Sequence, residues 1–441
     1  MKKMLGFAAV AWVVQTGVPA GQEALPPERL SVDQAIIIAL ENHPRIERSQ
    51  HETQAAEAGV REARAGYYPQ VFLQGIAKDG LSGATGGLGL VGLPASPFFD
   101  KFADAVNVSY TAYDFGRTRN RVEVARFTAA SLRSTEEAER ARIVWLVRTT
   151  YYRCLQAEEL LAVARETLEE RKLTARQAQV YFEVELRSKL DANLAQVHVS
   201  EAEAWLARVE NARRLGYAAL NRAMGVGVRT VYQLEPVSLE TDVAETIEDL
   251  TETALTGRPD LQAVSQGIRA AEASLHAARS ERWPRVTAVA SAGYARFQAD
   301  VDGERWVVGV GFSVPVFTGF ALQSRIQRAR ENLRAAEAAR TELVHQLCYE
   351  VQQAYLELET ARAAGRAAEA RAVLAEESLR LASQRYGAQL GSFLDLTQTE
   401  VALAAAKQAR VQALYDFKIA KATLDLVVGA PVETGVIMNV D

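Results

Sequence analysis

Trp306-Val307-Val308-Gly309-Val310-Gly311-Phe312-Ser313-Val314 is followed by Pro315-Val316-Phe317-Thr318-Gly319 and then by an alanine-rich run to Tyr386. In the first segment Trp306, Val308, Val310, Phe312 and Val314 oppose Gly309, Gly311 and Ser313, the period-two pattern of a strand with one apolar and one small or polar face. Pro315 to Gly319 redirects the chain, and residues 320–386 read as one helix with a return helix over 393–428 after a turn at Gly387–Gly391. The same order occurs earlier. A strand at 105–113 sets Val106, Val108, Tyr110 and Ala112 against Asn107, Ser109 and Thr111, and the stretch from Arg117 to Leu186 contains no proline or glycine. As a helix it would be roughly 105 Å long. A turn near Arg187–Lys189 then leads into a return helix over 191–224.

The two halves are copies. A shift of 204 places Tyr151 on Tyr355, Ser188 on Ser392, Asp191 on Asp395 and Gly225 on Gly429. Nearer each start the shift is 215, with Pro44 on Pro259 and Pro69 on Pro284. The difference of 11 falls between Pro69 and Ala125, a stretch that holds the glycine-rich segment Gly80–Gly92. The repeats span 21–245 and 246–441, and each has a short helix, a second helix (45–65 or 259–281), a strand pair (70–78 with 105–113, or 286–297 with 306–314) and a long hairpin. Each return helix is about half as long as its partner, so the second helix is expected to cover the other half. Short helices and residues 225–245 are expected to fill a waist between them. Within the long helices, Leu347, Val351, Ala354, Leu358 and Ala361 step by four and three, and the 204-shifted set is Ile143, Val147, Thr150, Cys154 and Ala157. That is a heptad seam with small residues, which implies close helix approach.

Composition narrows the classes. Of 441 residues 49% are apolar, alanine dominates that share, and the net charge of −5 gives no basic face for nucleic acid. Cys154 and Cys348 cannot make a disulfide framework and read as small buried side chains. His43, His51, His198, His276 and His345 lack metal-ligand spacing, and Gly80–Gly92 lies in no βα unit, so no catalytic, metal or cofactor-binding constellation is expected. Lys2 and Lys3, apolar Leu5–Val14 and the small-residue site Val18-Pro19-Ala20 read as an export signal over 1–20, cleaved after Ala20 with no cysteine for a lipid anchor. Membrane insertion would then have to use strands. A bilayer accepts strands only in a closed barrel, which four cannot form, whereas three chains supply twelve.

Several segments resemble the outer-membrane efflux proteins, the TolC-like channels. They are Leu30-Ser31-Val32-Asp33-Gln34-Ala35 with Ala39-Leu40-Glu41-Asn42-His43-Pro44, Ala63-Arg64-Ala65-Gly66-Tyr67-Tyr68-Pro69-Gln70, Tyr113-Asp114-Phe115-Gly116-Arg117, Val314–Gly319, and Tyr386-Gly387 with Gly391-Ser392-Phe393-Leu394-Asp395. The resemblance spans nearly all of the chain after residue 20. It implies a mainly α homotrimer, with a twelve-stranded transmembrane barrel in outer-membrane lipid joined to a periplasmic α-helical coiled-coil tunnel. The implied function is an exit duct of a tripartite efflux pump or type I secretion system. Its partners would be a periplasmic adaptor and an inner-membrane pump of RND, ABC or MFS type. A periplasmic adaptor or a soluble coiled-coil scaffold are the alternatives, disfavoured by the paired hairpins, the strands and the export signal. At the closed tunnel tip, Asp395 matches one aspartate of a constricting ring, and Gln398 stands where the second would be. Tyr386 and Gln389 resemble turn residues that hold the tip shut, although Gly391 replaces an arginine there. In the first repeat, Asp191 reads as a carboxylate helix cap next to Ser188.

Overall fold

A computed structural model describes residues 29–77, 102–227, 232–237, 246–296 and 302–429. The export signal, the segment Gly80–Gly92 and the strand ends at 78 and 297 lie outside the described residues. Each repeat opens with a short helix, α1 (Val32–Asn42) or α5 (Ile247–Gly257), joined directly to a second, α2 (Pro44–Arg64) or α6 (Pro259–Ser280). Proline at the first helical position explains the joint, because its missing N–H is unneeded there and the preceding residue is driven to extended backbone. His43 adopts that conformation and its Nδ1 accepts the N–H of Arg45. Ser31 caps α1 as its sequence suggests: Oγ accepts from Gln34 N–H, and Gln34 Oε1 accepts from Ser31 N–H.

Strands β2 (Gln70–Ala77), β3 (Phe102–Tyr113), β5 (Arg285–Arg296) and β6 (Asp302–Ser313) form one antiparallel sheet in the order β2-β3-β5-β6. β3 and β6 start three and four residues earlier than their alternation alone indicates. The register puts Leu73, Val106, Ala292 and Trp306 in one row and Val71, Val108, Ala290 and Val308 in the next on that face. Between them, on the opposite face, lies Phe72-Asn107-Ser291-Val307, and Gln70-Ser109-Val289-Gly309 follows. That face is therefore mixed rather than wholly small or polar. The apolar face is uncovered in a single chain, with Trp306 77% and Phe312 80% exposed.

The rods are α3 (Arg117–Glu183) and α7 (Ala321–Gly387), each of 67 residues and therefore roughly 100 Å long. α4 (Lys189–Met224) and α8 (Phe393–Val428) return alongside their lower halves, while α2 and α6 pack on the upper halves. α6 touches both α3 and α7, and α8 touches α3, so the two repeats form one continuous wall. The first rod ends at Glu183 rather than 186. Glu185 takes a left-handed φ of 58°, and the N–H groups of Leu186 and Arg187 turn back to the Tyr181 carbonyl. The return helix starts at Lys189, two residues earlier than expected.

The waist is the largest apolar core. Ile143, Val147, Tyr151 and Cys154 of α3 meet Ile36 and Ala39 of α1, Leu220 and Met224 of α4, and Val411 and Tyr415 of α8. It also contains a feature the sequence does not announce, a parallel pair of two-residue strands, β1 (Arg29–Leu30) and β4 (Gln233–Leu234). Tyr151 fastens it: its hydroxyl is 2.7 Å from Leu30 O and 2.9 Å from Glu235 O, and Glu235 N–H lies 3.0 Å away as a donor. Burial pushes that phenol up to about 12, so it stays protonated. Gly225 ends α4 with φ 73°, and a Cβ there would stand 2.7 Å from Asn42 O, so the α4 cap rests directly on the α1–α2 joint. Gly429 ends α8 with φ 74° against Arg258, the corresponding joint of the other repeat.

Tyr151→Phe should cost about 0.5–1.5 kcal/mol, because it removes the phenol bond to the Glu235 carbonyl, while Leu30 O still accepts the Glu235 N–H at 3.1 Å. Hydrogen exchange should show faster opening at residues 232–237, with the rods unchanged. Equal protection in both proteins would mean that the phenol does not hold the strap.

Candidate functional site: the paired hairpin tips

The lower ends of the two hairpins form one cluster. Tyr386, near the end of α7, is 2% exposed, with ring centroids 5.9 Å from Tyr181 and 6.0 Å from Phe393, among Ala178, Ala195 and Leu396. Arg187 of the first turn lies over the Tyr386 ring at 4.9 Å, and its Nη2 donates to the Gly391 carbonyl at 3.0 Å. Arg187 and Gly391 are equivalent positions in the two repeats. The second turn lacks its own arginine, and the first turn supplies one. Gly391 permits this by close approach, since a Cβ there would lie 3.3 Å from both Arg385 Cβ and Tyr386 N.

The sequence-nominated residues separate into two groups. Tyr386 is central, but its hydroxyl is buried with no hydrogen-bond partner among the described residues. Burial raises its pKa, while Arg187 lowers it and Asp191 raises it. Gln389 is exposed and left-handed at φ 63°, matching Glu185 at 58° in the first repeat. Asp395 and Gln398 are exposed, three residues apart and so on neighbouring positions of one α8 face. Neither aspartate is the cap residue itself. Ser188 and Ser392 hold that position, and their Oγ atoms accept from Asp191 N–H at 3.3 Å and Asp395 N–H at 3.1 Å. Asp395 completes a capping box by accepting the Ser392 N–H. Hydrogen bonding with Ser392 holds its carboxyl below the usual carboxylate range.

Above the tip, the seam between α3 and α8 carries a buried ion pair that the sequence reading passed over. Arg171 Nη1 meets Glu400 Oε2, with both side chains under a tenth exposed, and Thr174 Oγ1 donates to Glu400 Oε1 at 2.6 Å. Lys407 reaches Glu166 at 3.0 Å and Glu170 at 3.8 Å one to two turns higher. The repeat held a signal for the first pair: Arg171 corresponds to Ala375 and Glu400 to Gln196, so these charges occur in one copy only. Among the described residues there is no group of three or more potential metal ligands, and no helix is long and apolar enough to cross a membrane.

A wall of paired helical hairpins under an apolar-faced antiparallel sheet is the architecture of outer-membrane channels. The chain belongs to the outer membrane efflux protein family, which it matches over residues 35–226 and 250–430. It is 26% identical over 432 residues to protein CyaE of Bordetella pertussis, covering 93% of this chain and 87% of that one. It is 23% identical over 424 residues to the outer membrane efflux protein BepC of Brucella suis, covering 95% and 89%. The crystal structure of the CmeC outer membrane channel of Campylobacter jejuni superposes with a TM-score of 0.80 over 93% of this chain and 87% of that one, at 16% identity. The protein is thus an outer-membrane export channel that extends into the periplasm, in a family of transport channels rather than enzymes.

Tyr386→Phe should be nearly neutral, because its hydroxyl makes no bond, whereas Glu400→Ala should cost about 3–5 kcal/mol by stranding buried Arg171. Thermal unfolding of the two purified variants checks this. A larger loss from Tyr386→Phe than from Glu400→Ala would contradict the arrangement.

Proposed function

We propose that three copies close the four-stranded sheets into a twelve-stranded barrel, with the hairpin walls closing beneath it into one periplasmic tunnel. The observation that carries this reading is the sheet itself: an uncovered apolar face, two unpaired edge strands, and rods of roughly 100 Å fused directly to it. The duct would work passively, without catalysis, receiving substrates from an inner-membrane pump through a periplasmic adaptor in a tripartite efflux or type I secretion assembly. Three copies of Asp395 and Gln398 would ring the periplasmic aperture, near Tyr386, Gln389 and the first-repeat turn at Ser188 and Asp191. Opening would move α7 and α8 against α3, straining the Arg187–Gly391 bond and the Arg171–Glu400 pair.

Two experiments test the reading. A charge placed at Val108 or Val310 should cost about 2–4 kcal/mol at the bilayer midplane, and one at Ser109 or Gly311 much less. Equal tolerance in an outer-membrane assembly assay would argue against the barrel. In planar bilayers, Asp395→Ala should weaken block by divalent cations added from the periplasmic side while leaving assembly intact. Unchanged block would reduce Asp395 to a helix-capping residue.

A further inference from the structure

Beneath the sheet, α3, α6 and α7 enclose a pocket of about 320 Å³ whose charged lining is Arg121, Arg325, Arg328 and Glu281. Arg121 and Arg325 are repeat-equivalent, each four residues into its rod, and both lean on Glu281: Arg121 Nη2 at 3.8 Å from Oε1, and Arg325 Nη1 against Oε2. Arg328 lines the pocket with no carboxylate within ion-pair distance among the described residues. Outside the pocket's lining, Arg117, at the first position of α3, is 9% exposed and its buried Nε has no partner among the described residues. It feels Arg285 and Arg121 as like charges and only Glu281 and Asp114 as opposing ones. One oxygen of Asp114, Oδ2, accepts from both the N–H and the Oγ1 of Thr118. The pocket thus sets three guanidinium forks, Arg121, Arg325 and Arg328, against the single carboxylate of Glu281.

We propose that this pocket binds a phosphate-type oxyanion. Several planar forks converging on a small space favour an anion with three or four oxygens over a single carboxylate. Two sources can present that chemistry. The pocket lies one to two helical turns beyond the strand ends, where exposed Phe115 meets Tyr113 edge-on at 4.7 Å and stacks on Trp283 at 5.4 Å, an aromatic cluster of the interfacial kind that would put a phospholipid headgroup within reach. Free phosphate groups in the aqueous phase are the other source. Only the lipid source rests on the barrel reading.

The test uses the full-length channel in uncharged detergent. Short-chain phosphatidylglycerol binding is read by native mass spectrometry and radiolabelled inorganic phosphate by equilibrium dialysis, for wild type, Arg328→Gln, and the double variant Arg121→Gln with Arg325→Gln. Wild type should bind at least one probe, severalfold weaker in Arg328→Gln and at least tenfold weaker in the double variant. Retention of phosphatidylglycerol without phosphate assigns the headgroup, and phosphate binding alone assigns the free anion. Binding of both, with mutual competition, confirms one shared pocket. Arg328 holds no ion pair, so its variant remains informative if the double variant fails to fold. Failure of wild type to bind either probe, or equal binding by wild type and Arg328→Gln, would overturn the proposal. Particle mass in the same spectra reports on assembly separately, so a failed pocket and a failed barrel are told apart.

Discussion

In hydrocarbon, every backbone N–H and C=O must find a partner within protein, because no water competes for it. This chain presents four strands with two bare edges, on β2 and β6, below an apolar face suited to lipid. That mismatch organises the rest. Edge groups left open in a bilayer cost several kcal/mol each, so the chain is incomplete by itself and its edges call for further copies. The same incompleteness reaches the helices, where α7 carries exposed Leu356, Val373 and Leu374 and α4 carries exposed Leu194 and Val197 on opposite sides of the wall.

Duplication makes the two repeats near copies, but they differ at the hairpin tips. Arg187 serves both turns because Gly391 cannot, and Arg171–Glu400 ties the repeats at a level where neither charge has a counterpart. A buried pair of this kind adds little net stability over apolar packing, yet breaking it is expensive. Asp395 and Gln398 are exposed at the same tip, where Asp395 also completes the Ser392 capping box.

Much of the architecture was legible because it rests on local rules. Long proline-free runs must be helices, the alternation of Trp306 to Val314 must be a strand, and Pro44 and Pro259 must begin new helices. What stayed hidden depends on distant pairs. The β1–β4 strap joins residues about two hundred positions apart, and two-residue strands carry no periodicity. Glu185 and Gln389 are left-handed without being glycine, because turn bonds to Tyr181 and Arg385 impose it. The aspartates of the two turns read as caps, but the hydroxyl one turn earlier has the shorter reach to the free N–H groups. The arginine pocket was invisible because Arg121, Glu281 and Arg325 lie on three separate helices.

Stoichiometry is the decisive property: two chains of four strands would make a barrel filled by its own side chains, and three would make one with a lumen. Native mass spectrometry of the detergent-extracted channel measures this directly. A particle of three chains is the predicted result. A stable monomer or dimer, with the apolar sheet face still intact, would contradict the account.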